Sequence, residues 1–131
     1  MPGVPAFILR RLYVKGSLEN FDGGWRFQLR NSLGSGYAKS MLPLTVDGAE
    51  VPLADASFTL DGRETRFDQV DENNTFTLSM NRTIVMSVRR EKLAPGAHRV
   101  GMHFVVPGFG KIGFDFTDEV KGADLRLSKD A

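Results

Sequence analysis

The sequence predicts an all-β fold, an antiparallel sandwich of two sheets. Three observations support this prediction: apolar and polar residues alternate in at least four segments, turn-forming residues separate those segments, and no segment shows the helical period of 3.6. Successive side chains of a strand point to opposite faces, so a sheet with one buried face produces such alternation. We expect one domain, residues 1–131, whose charged tail from about residue 121 is partly disordered.

The first two predicted strands differ in how clearly they alternate. Residues 7–15 carry apolar side chains on both faces, which suggests an edge strand or one that contacts a partner. Trp25, Phe27 and Leu29 alternate with polar residues and form the clearest amphipathic strand of the chain. The small, polar and glycine-rich residues 31–40 predict a loop.

Residues 41–60 predict a central meander in which a strand, a turn, a second strand, a bend and a third strand follow one another. Asp47-Gly48 is a strong hairpin signal because both residues tolerate a positive φ. Asp61-Gly62 predicts a second turn of the same kind. Pro52 lacks an N–H group, so the return strand around it should be short or lie at an edge.

Further strands are predicted in the second half of the chain. They cover residues 63–67, 76–78, 84–89, 98–106 and 111–116. An acidic loop at 68–74, a Pro95-Gly96 turn and a tight loop at 107–110 separate them. Short strands joined by turns in this way are typical of immunoglobulin-like and jelly-roll-like sandwiches.

The composition excludes several classes of function. The chain has 17 basic and 16 acidic residues and a net charge of +1, which predicts no general attraction to nucleic acid or to a membrane surface. No apolar stretch reaches the roughly 20 residues that span a bilayer, and the first residues do not resemble a secretion signal. The lack of cysteine excludes disulfides, a thiol nucleophile and a cysteine-bound zinc. It favours a reducing compartment, and we expect a cytoplasmic protein.

The titratable residues predict no metal site and assign no catalytic group in this chain, although a role as catalytic base stays open for either histidine. His98 and His103 are five residues apart and therefore lie on opposite faces of one predicted strand, so they do not converge on a metal. Asp115, Asp118 and Glu119 are close in sequence, but their spacing matches no calcium-binding loop.

Two glycine-rich loops each display one aromatic residue, Tyr37 in one and Phe109 in the other. Two interpretations stay open. The aromatic ring folds back onto the sandwich, or the loop contacts a substrate or a partner, because loops on a rigid sheet often form binding surfaces. Gly36 and Lys39, close to Tyr37, complete the set of candidate substrate- or partner-facing residues.

The chain resembles the small β subunit of the bacterial C-glycoside deglycosidases. The resemblance rests on five short segments, at residues 14–18 (VKGSL), 27–30 (FQLR), 44–48 (LTVDG), 58–62 (FTLDG) and 93–100 (LAPGAHRV). It implies a lyase that cleaves the C–C glycosidic bond of 3-oxo-C-glycosides, such as those of flavonoids, by elimination. The products would be the aglycone and an unsaturated anhydro-keto sugar.

The same resemblance implies a partner. This would be a TIM-barrel α subunit, similar to isomerases and epimerases, which binds a divalent metal such as manganese and holds the catalytic histidine. The metal would polarise the C3 ketone and stabilise the enolate that forms when a base removes the C2 proton. The β subunit would support assembly and the mouth of the active site, would hold no cofactor and would be inactive alone.

Two other classes of protein remain as alternatives. A non-catalytic immunoglobulin-like binding module is the main alternative. A small cupin-type jelly-roll enzyme is the other, and it would need more histidine ligands than the two in this chain.

Overall fold

The computed structural model describes residues 4–120, and there it confirms the predicted all-β fold with antiparallel sheets. The expected tail from about residue 121 lies outside the described residues. Helical structure in the described region is short and consists of helix α1 (Ala6–Leu9) and three 3₁₀ turns at Arg10–Leu12, Leu53–Asp55 and Phe67–Gln69. The strands there are β1 (Glu19–Phe21), β2 (Gly24–Arg30), β3 (Gly36–Ala38), β4 (Ser40–Met41), β5 (Thr45–Val46), β6 (Ala49–Glu50), β7 (Ala56–Leu60), β8 (Arg63–Arg66), β9 (Phe76–Leu78), β10 (Thr83–Val88), β11 (Ala97–Val106) and β12 (Gly110–Glu119).

Two large sheets form the sandwich. The first sheet has the strand order β1-β2-β10-β7-β8, and the second has the order β12-β11-β5-β6, with β4 also paired to β11. Strands β3 and β9 form a separate antiparallel pair. Phe76 of β9 connects the layers, because its ring contacts Phe58 of the first sheet at 4.8 Å and Phe104 of the second at 5.9 Å between ring centres.

The amphipathic strand predicted around Trp25 is confirmed. Trp25, Phe27 and Leu29 of β2 are at most 1% exposed. Phe27 meets Phe116 of the second sheet edge-on, with the ring centres 5.1 Å apart. The alternation could be read from sequence because one face of β2 packs on the opposite sheet.

Both predicted hairpin turns are confirmed. Asp47 and Gly48 join β5 to β6 with φ of 51° and 87°, and Asp61 and Gly62 join β7 to β8 with φ of 52° and 82°. Two consecutive positive φ values match the twist of the flanking strands, and Asp-Gly pairs adopt them at low cost. The return strand β6 is short and lies at the edge of its sheet, as Pro52 predicts.

The predicted strand over residues 7–15 is wrong. Residues 6–12 form α1 and the 3₁₀ turn instead, with Leu9 and Leu12 buried on one side and Phe7 68% exposed. Apolar residues three apart share a helical face, and in this segment that spacing coexists with an alternating pattern that predicts a strand. The chain reaches the first sheet at Tyr13, which bridges to Leu29 of β2, and at Val14, whose N–H donates to the Gln28 carbonyl at 3.0 Å.

The loop predicted over residues 31–40 is also shorter than expected. Strand β3 begins at Gly36 and pairs with β9, and β4 begins at Ser40 and pairs with β11. Both strands are only two or three residues long, so an alternating pattern had too few positions to be recognised.

The N-terminal segment closes the sandwich by joining β2 to β12. The Tyr13 ring stacks on Phe116 with ring centres 3.6 Å apart, and its hydroxyl donates to Asp118 Oδ2 at 2.7 Å. The same oxygen accepts the Gly16 N–H at 2.7 Å. Arg10 donates to Asp115 Oδ1 at 3.1 Å. These contacts fix α1 over one end of the second sheet.

Candidate binding pocket

An apolar pocket of about 380 Å³ opens between α1, the loop before β3 and the turn between β11 and β12. Four separate parts of the chain supply its lining. These residues are Val4, Ile8, Leu9, Leu12, Asn31, Leu33, Gly34, Ser35, Gly36, Tyr37, Leu78, Phe104, Val106, Phe109 and Ile112.

The N-terminal wall of the pocket was not predicted. Ile8, Leu9 and Leu12 line it, and their spacings of three and four residues place them on one face of the helical segment, while Val4 lines it from just before the helix. Pro5 precedes the helix at its N-cap, a position where proline's missing N–H costs no intrahelical hydrogen bond. The spacing and the proline together were the signal that could have revealed this wall.

Asn31 shapes the second wall. Its side chain is buried, its amide nitrogen donates to the Gly34 carbonyl at 2.8 Å and to the Leu78 carbonyl at 3.0 Å, and its Oδ1 accepts the N–H groups of Leu33 at 3.0 Å and Gly34 at 3.3 Å. An asparagine amide has two donor hydrogens and two acceptor lone pairs. All four are used, so Asn31 holds the loop against β9 and has no bond left for a ligand.

Two exposed aromatic rings lie at the rim. Tyr37 is 46% exposed and Phe109 is 44% exposed, and both line the pocket together with Gly36. The structure therefore brings together three of the four residues proposed from sequence to face a substrate or a partner. Lys39 is exposed and does not line the pocket, and its N–H donates to the Val105 carbonyl at 2.9 Å.

The lining limits what the pocket can do chemically. Its polar side chains, within the part of the chain that the structure describes, are those of Asn31, Ser35 and Tyr37. A bound charge would lose its hydration and meet no opposite charge there, which is costly. An uncharged apolar or aromatic group would instead bury surface against leucine, isoleucine and phenylalanine side chains.

Neither histidine lines this pocket. His98 lies at the start of β11 and contacts Asp47, whereas His103 lies against Gly113, whose Cα leaves room for the ring. In residues 4–120 no cluster of three or more His, Cys, Asp or Glu side chains is arranged to hold a metal ion. Over the same range, no helix has the length and hydropathy needed to cross a membrane.

The carboxylates of Asp115 and Asp118 near the end of β12 stabilise the fold through ion pairs and hydrogen bonds. Asp115 pairs with Arg99 and Arg10, and these hydrogen bonds, that of Arg99 foremost, hold the pKa of Asp115 below its usual value. Burial by itself would raise the pKa of Asp118, but hydrogen bonds from Tyr13 and Gly16 outweigh it and lower the pKa.

The family model described as "Hydroxymethylglutaryl-CoA reductase, N-terminal domain" matches residues 8–121 of the chain. The match begins in α1 and runs past the end of β12, so it includes every strand described above. No match was found among curated proteins.

This family match overturns the resemblance to the β subunit of the C-glycoside deglycosidases. The identity as a lyase subunit and the activity on 3-oxo-C-glycosides are wrong, because the five short segments that suggested them are turn and strand signals common to many sandwiches. The barrel partner and its metal, which that resemblance implied, stay predictions. With residues 8–121 of 131 matched, the chain belongs to the family of the hydroxymethylglutaryl-CoA reductase N-terminal domain.

Proposed function

We propose that this chain is a non-catalytic binding domain and that its apolar pocket holds a small uncharged molecule with an apolar or aromatic body. The main support for this proposal is a concave pocket of about 380 Å³, at whose rim Tyr37 and Phe109 are each nearly half exposed. Ligand sites of about 300–1,000 Å³ with mostly apolar walls are usual for small molecules. A ligand would remove both rings from water, which is favourable.

The chemistry of the lining supports binding over catalysis. General acid–base catalysis needs a side chain that takes or gives a proton near the reacting atoms. The hydrogen-bonding groups of Asn31 are already used within the loop, and Ser35 has no histidine beside it in the lining to activate it.

The family name refers to a reductase, and we place any redox step in a separate catalytic domain or subunit. Dinucleotide cofactors are commonly held at the N-terminus of a helix that follows a glycine-rich loop. Helix α1 has four residues and follows Val4-Pro5. Under this proposal the chain alone is inactive and works beside a larger partner. The cytoplasm, which the lack of cysteine favours, is the proposed location.

Two fluorescent probes of nearly the same shape test the proposal. N-phenyl-1-naphthylamine is uncharged, and 8-anilino-1-naphthalenesulfonate is the same molecule with a sulfonate added. We expect the uncharged probe to bind with increased fluorescence and the sulfonate to bind at least about tenfold more weakly, because its charge would be desolvated unpaired.

Two matched phenylalanine variants locate the site. Phe109→Ala removes a rim ring and should weaken binding of the uncharged probe by about tenfold, or ~1.4 kcal/mol. Phe7→Ala removes a more exposed ring from the N-terminal segment outside the lining and should leave the affinity unchanged. Equal affinity for the two probes, or equal losses in the two variants, would refute the proposal.

A further inference from the structure

A half-buried histidine lies at the end of β11 that is farther from the pocket. His98 joins three segments, because its Nδ1 lies 2.6 Å from Asp47 Oδ2 and its Nε2 lies 2.7 Å from the Ala94 carbonyl oxygen. Asp47 belongs to the turn of the β5–β6 hairpin, and Ala94 belongs to the loop between β10 and β11. The His98 side chain is only 12% exposed.

Both partners of His98 are hydrogen-bond acceptors. An ionised carboxylate and a backbone carbonyl carry no hydrogen to donate, whereas a neutral imidazole carries a single N–H. A neutral His98 could therefore satisfy one contact only, and the other would bring two lone pairs together at under 3 Å. The geometry requires the doubly protonated ring, the imidazolium.

The hairpin that His98 holds makes few backbone hydrogen bonds to the sheet. Strand β5 pairs with β11 through two residues only, Thr45 opposite Gly101 and Val46 opposite Val100. Beyond them, the Asp47 N–H donates to the Arg99 carbonyl at 2.8 Å, and Asp47 Oδ1 accepts the Arg99 N–H at 2.9 Å. The hairpin also forms the edge of its sheet.

The loop on the other side has its own anchor. The Asn20 side chain exchanges two hydrogen bonds with the backbone of Leu93, at 2.8 and 2.9 Å. The loop is thus fixed to the first sheet, so the hairpin is the element that is freer to move.

A cleft of about 620 Å³ separates the hairpin from the loop. Residues 46 and 49–51 line one side of it, residues 89–94 line the other, and Trp25 and Asp55 complete the lining. The contact from Asp47 through His98 to Ala94 therefore spans from one wall of this cleft to the other.

We propose that the protonated ring of His98 clasps the β5–β6 hairpin to the 89–94 loop, and that loss of its proton releases the hairpin and widens the cleft. We call the contact of His98 with Asp47 and Ala94 the clasp. Protonation of His98 thus determines whether the edge hairpin is held against the loop.

Other charged groups surround the clasp. They are Glu50 of the hairpin, Arg89, Arg90, Glu91 and Lys92 of the loop, Arg99 of β11, and Asp118 and Glu119 of β12, where Asp118 lies opposite His98 in the strand register. Asp118 is held by the Tyr13 hydroxyl and the Gly16 N–H, and Arg90 pairs with Asp55. Asp47 is the carboxylate that contacts the ring directly.

The pKa of His98 is raised, as expected for a ring that holds its extra proton in the clasp. Burial alone would lower the pKa of this imidazole, but the hydrogen bonds to Ala94 and Asp47 and the charge of Asp47 outweigh it and raise the pKa above the ordinary value. A group whose pKa is raised on folding stabilises the closed form below its free pKa, about 6.5 for histidine. That stabilisation is lost as the pH rises through the raised value.

Nuclear magnetic resonance on the whole chain tests the clasp. The readouts are the ring titrations of His98 and His103 and the exchange protection of the Arg99 amide, corrected for the intrinsic effect of pH. We expect His98 to titrate above about 6.5. The Arg99 protection should fall by up to about tenfold per pH unit between the free and the clasped pKa.

Asp47→Asn is the decisive variant. Asparagine tolerates the positive φ at this position, its carbonyl can still accept the Arg99 N–H, and its amide can donate to a neutral His98. The clasp would then close without the extra proton, and the pH dependence of Arg99 protection should disappear. His103→Gln is the matched control and should behave like the natural chain.

Three outcomes would overturn the proposal. They are a His98 titration at or below that of a free imidazole, an Arg99 protection independent of pH in the natural chain, and an unchanged pH dependence in Asp47→Asn. If the variant fails to fold, the first two measurements still decide, because they use the natural sequence.

Discussion

At the scale of single residues, Asn31 shows how one buried amide can build a wall of a pocket. Its four hydrogen bonds join the Leu33-Gly34 turn to β9, so the loop presents Leu33 and Tyr37 to the pocket. The sequence Asn-Ser-Leu-Gly could have indicated this turn, because asparagine commonly bonds to the backbone two or three residues ahead. Its bond to β9 could not be predicted, because the partner lies 47 residues further along the chain.

Asn31→Ala should destabilise the chain by about 2–3 kcal/mol, because it leaves buried backbone groups without partners. Urea unfolding followed by tryptophan fluorescence measures this. Asn73→Ala, at an exposed position in the 68–74 loop, is the matched control and should change stability by less than about 0.5 kcal/mol. Similar values for the two variants would mean that the Asn31 amide does not hold the loop.

At the scale of elements, the N-terminal segment is where structure and sequence prediction differ most. Period-2 alternation predicted the strands correctly where one face is buried by a sheet, as in β2. In residues 7–15 both the odd and the even positions carry mostly apolar residues. The alternation of apolar and polar residues therefore could not separate a strand from a short helix. Packing of Leu9 and Leu12 against the core decides for the helix.

Leu12→Ala should cost about 2–4 kcal/mol, because the side chain is 2% exposed and its removal leaves a cavity. Phe7→Ala should cost less than about 0.5 kcal/mol, because its ring is 68% exposed. Denaturant unfolding of both variants gives the comparison. A larger loss for Phe7→Ala would contradict the helical assignment of this segment.

The attachment of the N-terminal segment to β12 should weaken at low pH. The pKa values of Asp115 and Asp118 are both lowered in the folded chain, so their contribution is present above the unfolded value of about 3.9 and is lost as the pH falls through the folded values. We expect the free energy of unfolding to fall below about pH 4. Unfolding of the double variant Asp115→Asn, Asp118→Asn provides the test, and a decline as steep as that of the natural chain would contradict this account.

At the scale of the whole molecule, β11 connects two sites with different chemistry. Its C-terminal end contributes Phe104 and Val106 to the apolar pocket, and its N-terminal end carries His98 in the clasp. The sequence predicted the longer strands, such as β2, β10 and β11, and both Asp-Gly hairpins, because local pattern and turn chemistry determine them. It missed the short strands β3 and β4 and the N-terminal helix. It also marked Tyr37 and Phe109, but not their convergence, because pocket walls come from segments that only the tertiary fold brings together.

The most direct test of the central claim is to map where the uncharged probe binds. Methyl and amide spectra of the chain, recorded while N-phenyl-1-naphthylamine is added, report contacts along the whole described region. The account predicts shifts and intermolecular contacts at the methyl groups of Ile8, Leu33 and Ile112, all of which line the pocket. Contacts centred instead on Val46 and Val51, which line the cleft beside the clasp, would contradict it.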